Sequence, residues 1–205
     1  MAENAKNVFV AAPKAGGAIW SASLGTPLPK NAIDPLDPAF NSLGFISEDG
    51  IVNAEESDSE DIKAYGGRVV KTVQTSHKET FTFTPIETNK YVLAERYGSD
   101  NVTLDERGNI AVAHNAKSKP ARCYVIETVL DDGKIARDVI PAGRVTSVGE
   151  KTYKDGAAIA GELTLSCEED NLGNTAYTYY CLAVDEQPST PGPDENVSGG
   201  DGDVS

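Results

Sequence analysis

The chain is poor in the residue types that carry catalysis, metal binding or membrane insertion. It has one Trp, one Met, two His and three Cys in 205 residues. Cys123, Cys167 and Cys181 are an odd and sparse set, which excludes a disulfide-stapled scaffold. They read as buried thiols of a reducing compartment, with a Cys167–Cys181 bridge across adjacent strands as the alternative. The apolar run near the N-terminus, Val8 to Ala12, is five residues long and too short for a secretion signal. No stretch approaches a membrane span, so no membrane anchor is expected. Basic residues are also scarce, 18 against 32 acidic ones, for a net charge of −14. That balance excludes a basic face that grips nucleic acid or an anionic membrane. It leaves room for contact with DNA of a non-sticking kind, where repulsion is useful.

Catalytic signatures are missing as well. Gly143 to Thr152, GRVTSVGEKT, has glycine spacing one residue too long for a phosphate loop, and Glu150 stands where the lysine belongs. There is no G-x-S-x-G elbow. His77 and His114 lie outside metal-ligand spacing of any cysteine. Carboxylates abound, but in acidic stretches; Glu87 and Glu95 flank a short helix without a cleft partner. The expectation is a non-enzyme with no cofactor and no metal.

What is present centres on Val69 to Leu104. Val69 to Thr75 is rich in β-branched residues. Thr80 to Pro85 alternates, with Phe81 and Phe83 on one face and Thr80, Thr82 and Thr84 on the other, the period of a half-buried strand. Ser76 to Lys78 between them form either a tight connection or a bulge in one long bent strand. Pro85 has no ladder donor, so the strand ends there or lies at an edge. Thr88 is placed to cap a helix from Asn89 to Tyr97, with Arg96 favoured in its last turn and Gly98 as its stop. Leu93 and Tyr97 share a face with Val92 beside them. A helix this short is stable only by packing that face on a sheet.

The rest of the chain divides into strands and loops. Val8 to Ala12 and Ala18 to Ser23 are strand candidates. Leu24 to Gly44 has four prolines and little periodicity, an extended arm of unusual length. Its apolar residues, including Leu28, Ile33, Leu36 and Phe40, pack either on the chain's own core or on a neighbouring subunit. Phe45 to Val52 reads as a hairpin turning at Asp49-Gly50. Asn53 to Asp61, with five carboxylates, reads as a solvated acidic loop.

Beyond the helix, Asn101 to Leu104 and Ile110 to His114 flank a turn. Arg122 to Leu130 is a strong strand that turns at Asp131-Asp132-Gly133 into Lys134 to Ile140. Pro141-Ala142-Gly143 turns into Arg144 to Tyr153, Asp155-Gly156 into Ala158 to Cys167, and residues 168–174 lead to Thr175 to Val184. Closely spaced strands with such turns argue an antiparallel sandwich or barrel. The expected class is therefore mainly β: an antiparallel β-sandwich or open barrel with one flanking α-helix and long arms. Residues 1–184 would form the domain. Residues 185–205 hold six acidic residues and no basic one, a composition that forms a flexible tail or an assembly arm.

The order of features carries a resemblance. WSASLGTPLPKNA and LDPAFNSLGFISEDGI are followed by VVKTVQTSHKETFTFTPIETN, a short helix ending in Tyr97-Gly98, and a run of hairpins. This resembles the major tail tube protein of long-tailed, non-contractile bacteriophages, in particular those of actinobacteria, over most of residues 8 to 184. The resemblance implies the phage tail tube fold. It implies a virion tail protein made in the bacterial host cytoplasm. Six copies would close into a ring, and the rings would stack into a conduit with an acidic lumen for genome ejection. It further implies contacts with tip, terminator and tape-measure proteins and transient passage of DNA. Leu28, Ile33, Leu36, Phe40 and Phe45 are the residues expected at subunit contacts. The competing reading is a stand-alone β-sandwich that binds a glycan or acts as an adhesin; a single Trp, Trp20, weighs against an aromatic glycan platform.

Overall fold

A computed structural model describes residues 8–14 and 17–182. The expected acidic tail after Val184 lies outside these residues. Eleven strands occur among the described residues: β1 (Ala12–Pro13), β2 (Ile19–Ser23), β3 (Asn41–Ser42), β4 (Ile46–Lys63), β5 (Val69–Pro85), β6 (Val102–Leu104), β7 (Ile110–Val112), β8 (Arg122–Val129), β9 (Ile135–Val148), β10 (Leu163–Cys167) and β11 (Tyr177–Cys181). One helix, α1 (Lys90–Tyr97), follows β5. Nine strands form a single antiparallel sheet that does not close, in the order β3-β2-β8-β9-β10-β5-β4, with β1 on β8 and β11 on β9. Strands β6 and β7 pair separately.

Strand β9 makes this one sheet into a sandwich. Its first part, Ile135 to Ile140, pairs with β8 on one side, and Ile135 to Val139 pairs with β11 on the other. Its last part, Gly143 to Val148, pairs with β10. The β8–β9 register shifts between Arg122 and Tyr124, opposite Pro141 and Ala142, so the strand bends there instead of turning back. The expected turn at Pro141-Ala142-Gly143 is thus absent: flanking strands hold β9 extended on both sides of the bend. The two halves of the sheet meet around one core. Phe81, Phe83, Val145, Leu163 and Leu165 of one half pack with Ile19, Tyr124, Ile126 and Ile140 of the other, and Val92 of α1 joins them. Burial of these side chains contributes on the order of 1.5–3 kcal/mol each.

Several local expectations are corrected. Asp49-Gly50 does not reverse the chain. Ile46 pairs with Pro85 and Ile51 with Phe83, so Ser47 to Gly50 form a bulge inside β4, with Gly50 at φ +76° making the kink. Asn53 to Asp61 is not a loop but the middle of β4, paired residue by residue with Thr72 to Phe81. Ser76 to Lys78 lie within one strand, β5, whose register shift falls at Thr75. The cap of α1 is Asn89, one residue after Thr88: its Oδ1 accepts from the Tyr91 and Val92 N–H groups at 3.0 and 2.9 Å. An extended Asn89 reaches those donors directly, which leaves Thr88 outside the helix. The first strand is confined to Ala12–Pro13, and β10 begins only at Leu163. None of the three cysteines is in a disulfide, so the Cys167–Cys181 bridge is not formed.

Strand β5 does end at Pro85, and Phe81 and Phe83 face the core as their period demands. Val92 and Leu93 are buried, while Tyr97 is partly exposed beside His114.

Candidate assembly surfaces

Among the described residues no three His, Cys, Asp or Glu side chains come together as a metal site. Nor is any helix there long and apolar enough to cross a membrane. What the fold offers is surfaces, and three are distinctive.

The first is the Pro-rich arm, residues 24–44. It lies on the outer face of the β2-β8-β9-β11 half. Phe40 is buried there with Ala22, Cys123, Val125 and Val139, and Leu28 and Leu36 pack against the same cluster. This covering explains why every residue from Cys123 to Glu127 is buried: β8 has core on one face and the arm on the other.

An arginine fixes the arm. Arg137, 2% exposed, donates through one guanidinium nitrogen to the carbonyls of Asn31 and Asp34, both at 2.8 Å. Its other nitrogens donate to the buried Glu127 carboxylate, which also holds Lys14 at 2.8 Å. A second buried carboxylate, Glu95 of α1, accepts from the Tyr124 hydroxyl at 2.5 Å and pairs with Arg122 at 2.9 Å, tying the helix to β8. Burial first, and then the Glu95 charge, push the Tyr124 hydroxyl well above its usual range, so it stays a donor.

Of the five residues expected at subunit contacts, the structure places Leu28, Leu36 and Phe40 against the chain's own sheet. Ile33 and Phe45 point outward, 61% and 70% exposed. Phe45 sits beyond Gly44, where its N–H donates to Glu87 at 2.8 Å. The five are not brought together into one patch.

The second surface is a ribbon. Beyond Ala54 and Thr80, strands β4 and β5 leave the sandwich and pair only with each other. Every residue from Val52 to Lys78 is exposed. Nine residues of β4, Glu55 to Lys63, at about 3.3 Å each carry the ribbon roughly 30 Å from the body. Its end turns at Gly66 and Gly67, both with positive φ, closed by the Ala64 N–H donating to Arg68 at 2.8 Å. Ile62, Tyr65, Val69, Val70 and Val73 stand exposed near that end. Glu55, Glu56, Asp58, Glu60 and Asp61 fill one strand, tied across by Thr72 to Asp61 at 2.6 Å and Ser76 to Asp58 at 2.9 Å. Isolated two-stranded ribbons are marginal in water.

The third surface is the outer face of the β9-β10-β5-β4 half, which no arm covers among the described residues. Thr80, Thr82, Thr84, Thr146, Thr164 and Ser166 line it, alternating with the buried Phe81, Phe83, Val145, Leu163 and Leu165. At its ribbon end Glu79 is buried, accepting from Asn53 at 2.8 Å and from the Thr175 hydroxyl. Nearby, burial and then the Glu79 charge push the Cys167 thiol up to about 12, so it is protonated and unreactive at neutral pH.

The sequence reading missed the ribbon and both buried carboxylate pairs. The signal for the pairs was there: Arg137 shares strand parity with Ile135 and Val139, and Glu127 with Cys123 and Val125. Charged residues on apolar parity mark either a strand error or a buried pair.

A family model described as phage tail tube protein matches residues 1–188. No curated protein sequence matches the chain.

Proposed function

The chain belongs to the phage tail tube protein family, and from that premise we propose that six copies close into a ring and that rings stack into the tube through which the genome leaves the virion. The family makes it a structural protein of the virion tail. In this reading it is made in the host cytoplasm, has no catalytic role, and meets the tip, terminator and tape-measure proteins as well as itself. Residues 1–184 act as the tube domain, and residues 185–205 as an appended tail. A chain with net charge −14 suits a conduit that repels phosphate, so that DNA slides without binding.

The ribbon is the observation that carries this reading. Twenty-seven consecutive residues, Val52 to Lys78, are exposed, and beyond Ala54 they form a two-stranded arm with an apolar end whose strands pair, among the described residues, only with each other. An arm of that length reaches across a subunit boundary, and reaching into the next ring buries its apolar end. Ile33 and Phe45, both exposed, are further subunit contacts in this reading.

The test is to image the concentrated full chain by negative stain beside a variant in which Glu56 to Lys78 is replaced by a two-residue turn. The intact chain is expected to give hollow tubes of uniform width. The shortened chain should keep the sandwich, read by its thermal unfolding, and form no tubes. Tubes from the shortened chain would remove the ribbon from the mechanism. A chain that stays monomeric even when supplied with tail tips would overturn the tube reading.

A further inference from the structure

One arginine lacks the counter-charge that its burial calls for. Arg96, Arg122, Arg137 and Arg144 are at least partly buried. Arg122, Arg137 and Arg144 each reach a carboxylate. Arg96 reaches none among the described residues, and its Nε is buried without an acceptor. We propose that Arg96, with Lys151 and Thr88, forms a site beside α1 for a small anion, one carboxylate oxygen or one halide ion in width. The site stands whether or not the chain forms tubes.

Local packing builds it. Val92, Leu93 and Arg96 lie on the side of α1 that meets the segment between β9 and β10. A cavity of about 20 Å³ lies between them, with Pro85, Ile159 and Leu163 among its walls. That is room for a single water-sized atom, which needs roughly 10–15 Å³. The Arg96 guanidinium is held in place from two directions. Its Nη2 donates to the Gly149 carbonyl at 2.7 Å. Its Nη1 lies against Gly161, so closely that a Cβ there would overlap it. Glycine at 161 thus leaves the space that the guanidinium fills.

The charges around the cavity select the ligand. Lys151 lines it too, with its ammonium 5.0 Å from the centre of the Tyr153 ring. Thr88, exposed and outside the helix, adds a hydroxyl to the lining. The one carboxylate in the lining, Glu87, accepts from the Phe45 N–H at 2.8 Å and from the Asn89 side chain at 3.3 Å. Glu150 and Glu162 are exposed and do not line the cavity. The carbonyl end of α1 favours a cation at Arg96 but gives its Nε no acceptor. A buried charge is costly unless it is paired and hydrogen-bonded. Two cations and a hydroxyl around one water-sized gap with apolar walls are satisfied by one anion. Bound there, the anion ties α1 to residues 149–162, which form no strand between β9 and β10.

The test is nuclear magnetic resonance of the full chain, dilute and labelled with nitrogen-15. The Arg96 Nε–H signal, assigned by through-bond transfer, is followed as sodium acetate, sodium chloride or sodium phosphate is added at matched ionic strength. Acetate and chloride should shift that signal along a saturating curve, and phosphate, too broad for the gap, should shift it less. Screening alone would move it equally in all three salts, without saturation. Lys151→Met removes a partly exposed charge and should weaken acetate binding about 2–5-fold. Gly161→Ala keeps every charge but crowds the guanidinium, and should abolish the saturating shift. A signal that acetate and chloride leave unmoved, that moves alike in all three salts, or that saturates unchanged in Gly161→Ala would overturn the site.

Discussion

Arg137 is the residue whose loss should separate the arm from the body. It is 2% exposed, and the Glu127 carboxylate it satisfies lies at 1%. Changing Arg137 to Ala leaves that carboxylate with Lys14 alone, whose side chain is 41% exposed. Removing one partner of a buried ion pair costs about 3–5 kcal/mol. The carbonyls of Asn31 and Asp34 lose their donor as well, but the arm lies at the surface and water replaces part of that bond, so this adds only about 1 kcal/mol. The total, on the order of 4–6 kcal/mol, is a large share of the 5–15 kcal/mol typical of a domain. Denaturant unfolding of the monomer reads this loss, and salt should barely change it because the pair is shielded from solvent. Hydrogen exchange reads where the loss falls: amides of residues 26–40 should open while Ile19 to Ala22 and Cys123 to Val125 stay protected. The double change Arg137→Met with Glu127→Met removes both charges and should recover most of the stability while leaving the arm open. A loss below about 1 kcal/mol for Arg137→Ala, or unchanged exchange in the arm, would refute the reasoning.

Three further changes have defined outcomes. Gly44 has φ +78°, and a Cβ there would lie 2.2 Å from the Glu87 carboxyl; Gly44→Ala should cost about 1–3 kcal/mol in a thermal melt, more than Gly66→Ala at the open ribbon turn. Leu93→Asp buries an unpaired charge under α1, where Leu93 is 8% exposed, and should abolish cooperative unfolding; a soluble variant that melts cooperatively would contradict the packing of that face. Burial, and then the Glu79 charge, hold the Asp138 carboxyl above its usual range despite the opposing Thr178 hydrogen bond. The folded chain thus binds that proton more readily than the unfolded one, and Asp138 costs stability as pH rises through its folded value. Asp138→Asn keeps an acceptor for Thr178 and should melt above the parent at pH 7, with the gap closing on acidification; a gap that widens would reverse the sign.

The parts of the fold legible from sequence are those where local pattern and tertiary environment agree. Phe81 and Phe83 against Thr80, Thr82 and Thr84 announce a strand with one wet face, and that face is wet in the monomer. Pro85 announces the strand's end. The errors have one physical source. Glu55 to Asp61 have poor intrinsic β-propensity, yet β4 forms there because β5 supplies a paired partner over the whole length. Pro141 and Gly143 look like a turn, but β10 and β11 hold β9 straight on either side of the bend. Distant pairing outweighs local preference in each case. The apolar residues of the arm were ambiguous for a related reason: Leu28, Leu36 and Phe40 needed a surface, and composition does not say whose.

The ribbon turns that ambiguity into an argument about assembly. Leu28, Leu36 and Phe40 of the arm find their surface within the chain, whereas Ile62, Tyr65, Val69, Val70 and Val73 stand exposed among the described residues. A chain selected to remain alone would pair, charge or shorten such elements, as this one does with β3. In the tube proposed above, a contact along the ring axis buries the ribbon's apolar end, and rings joined by it grow in one dimension.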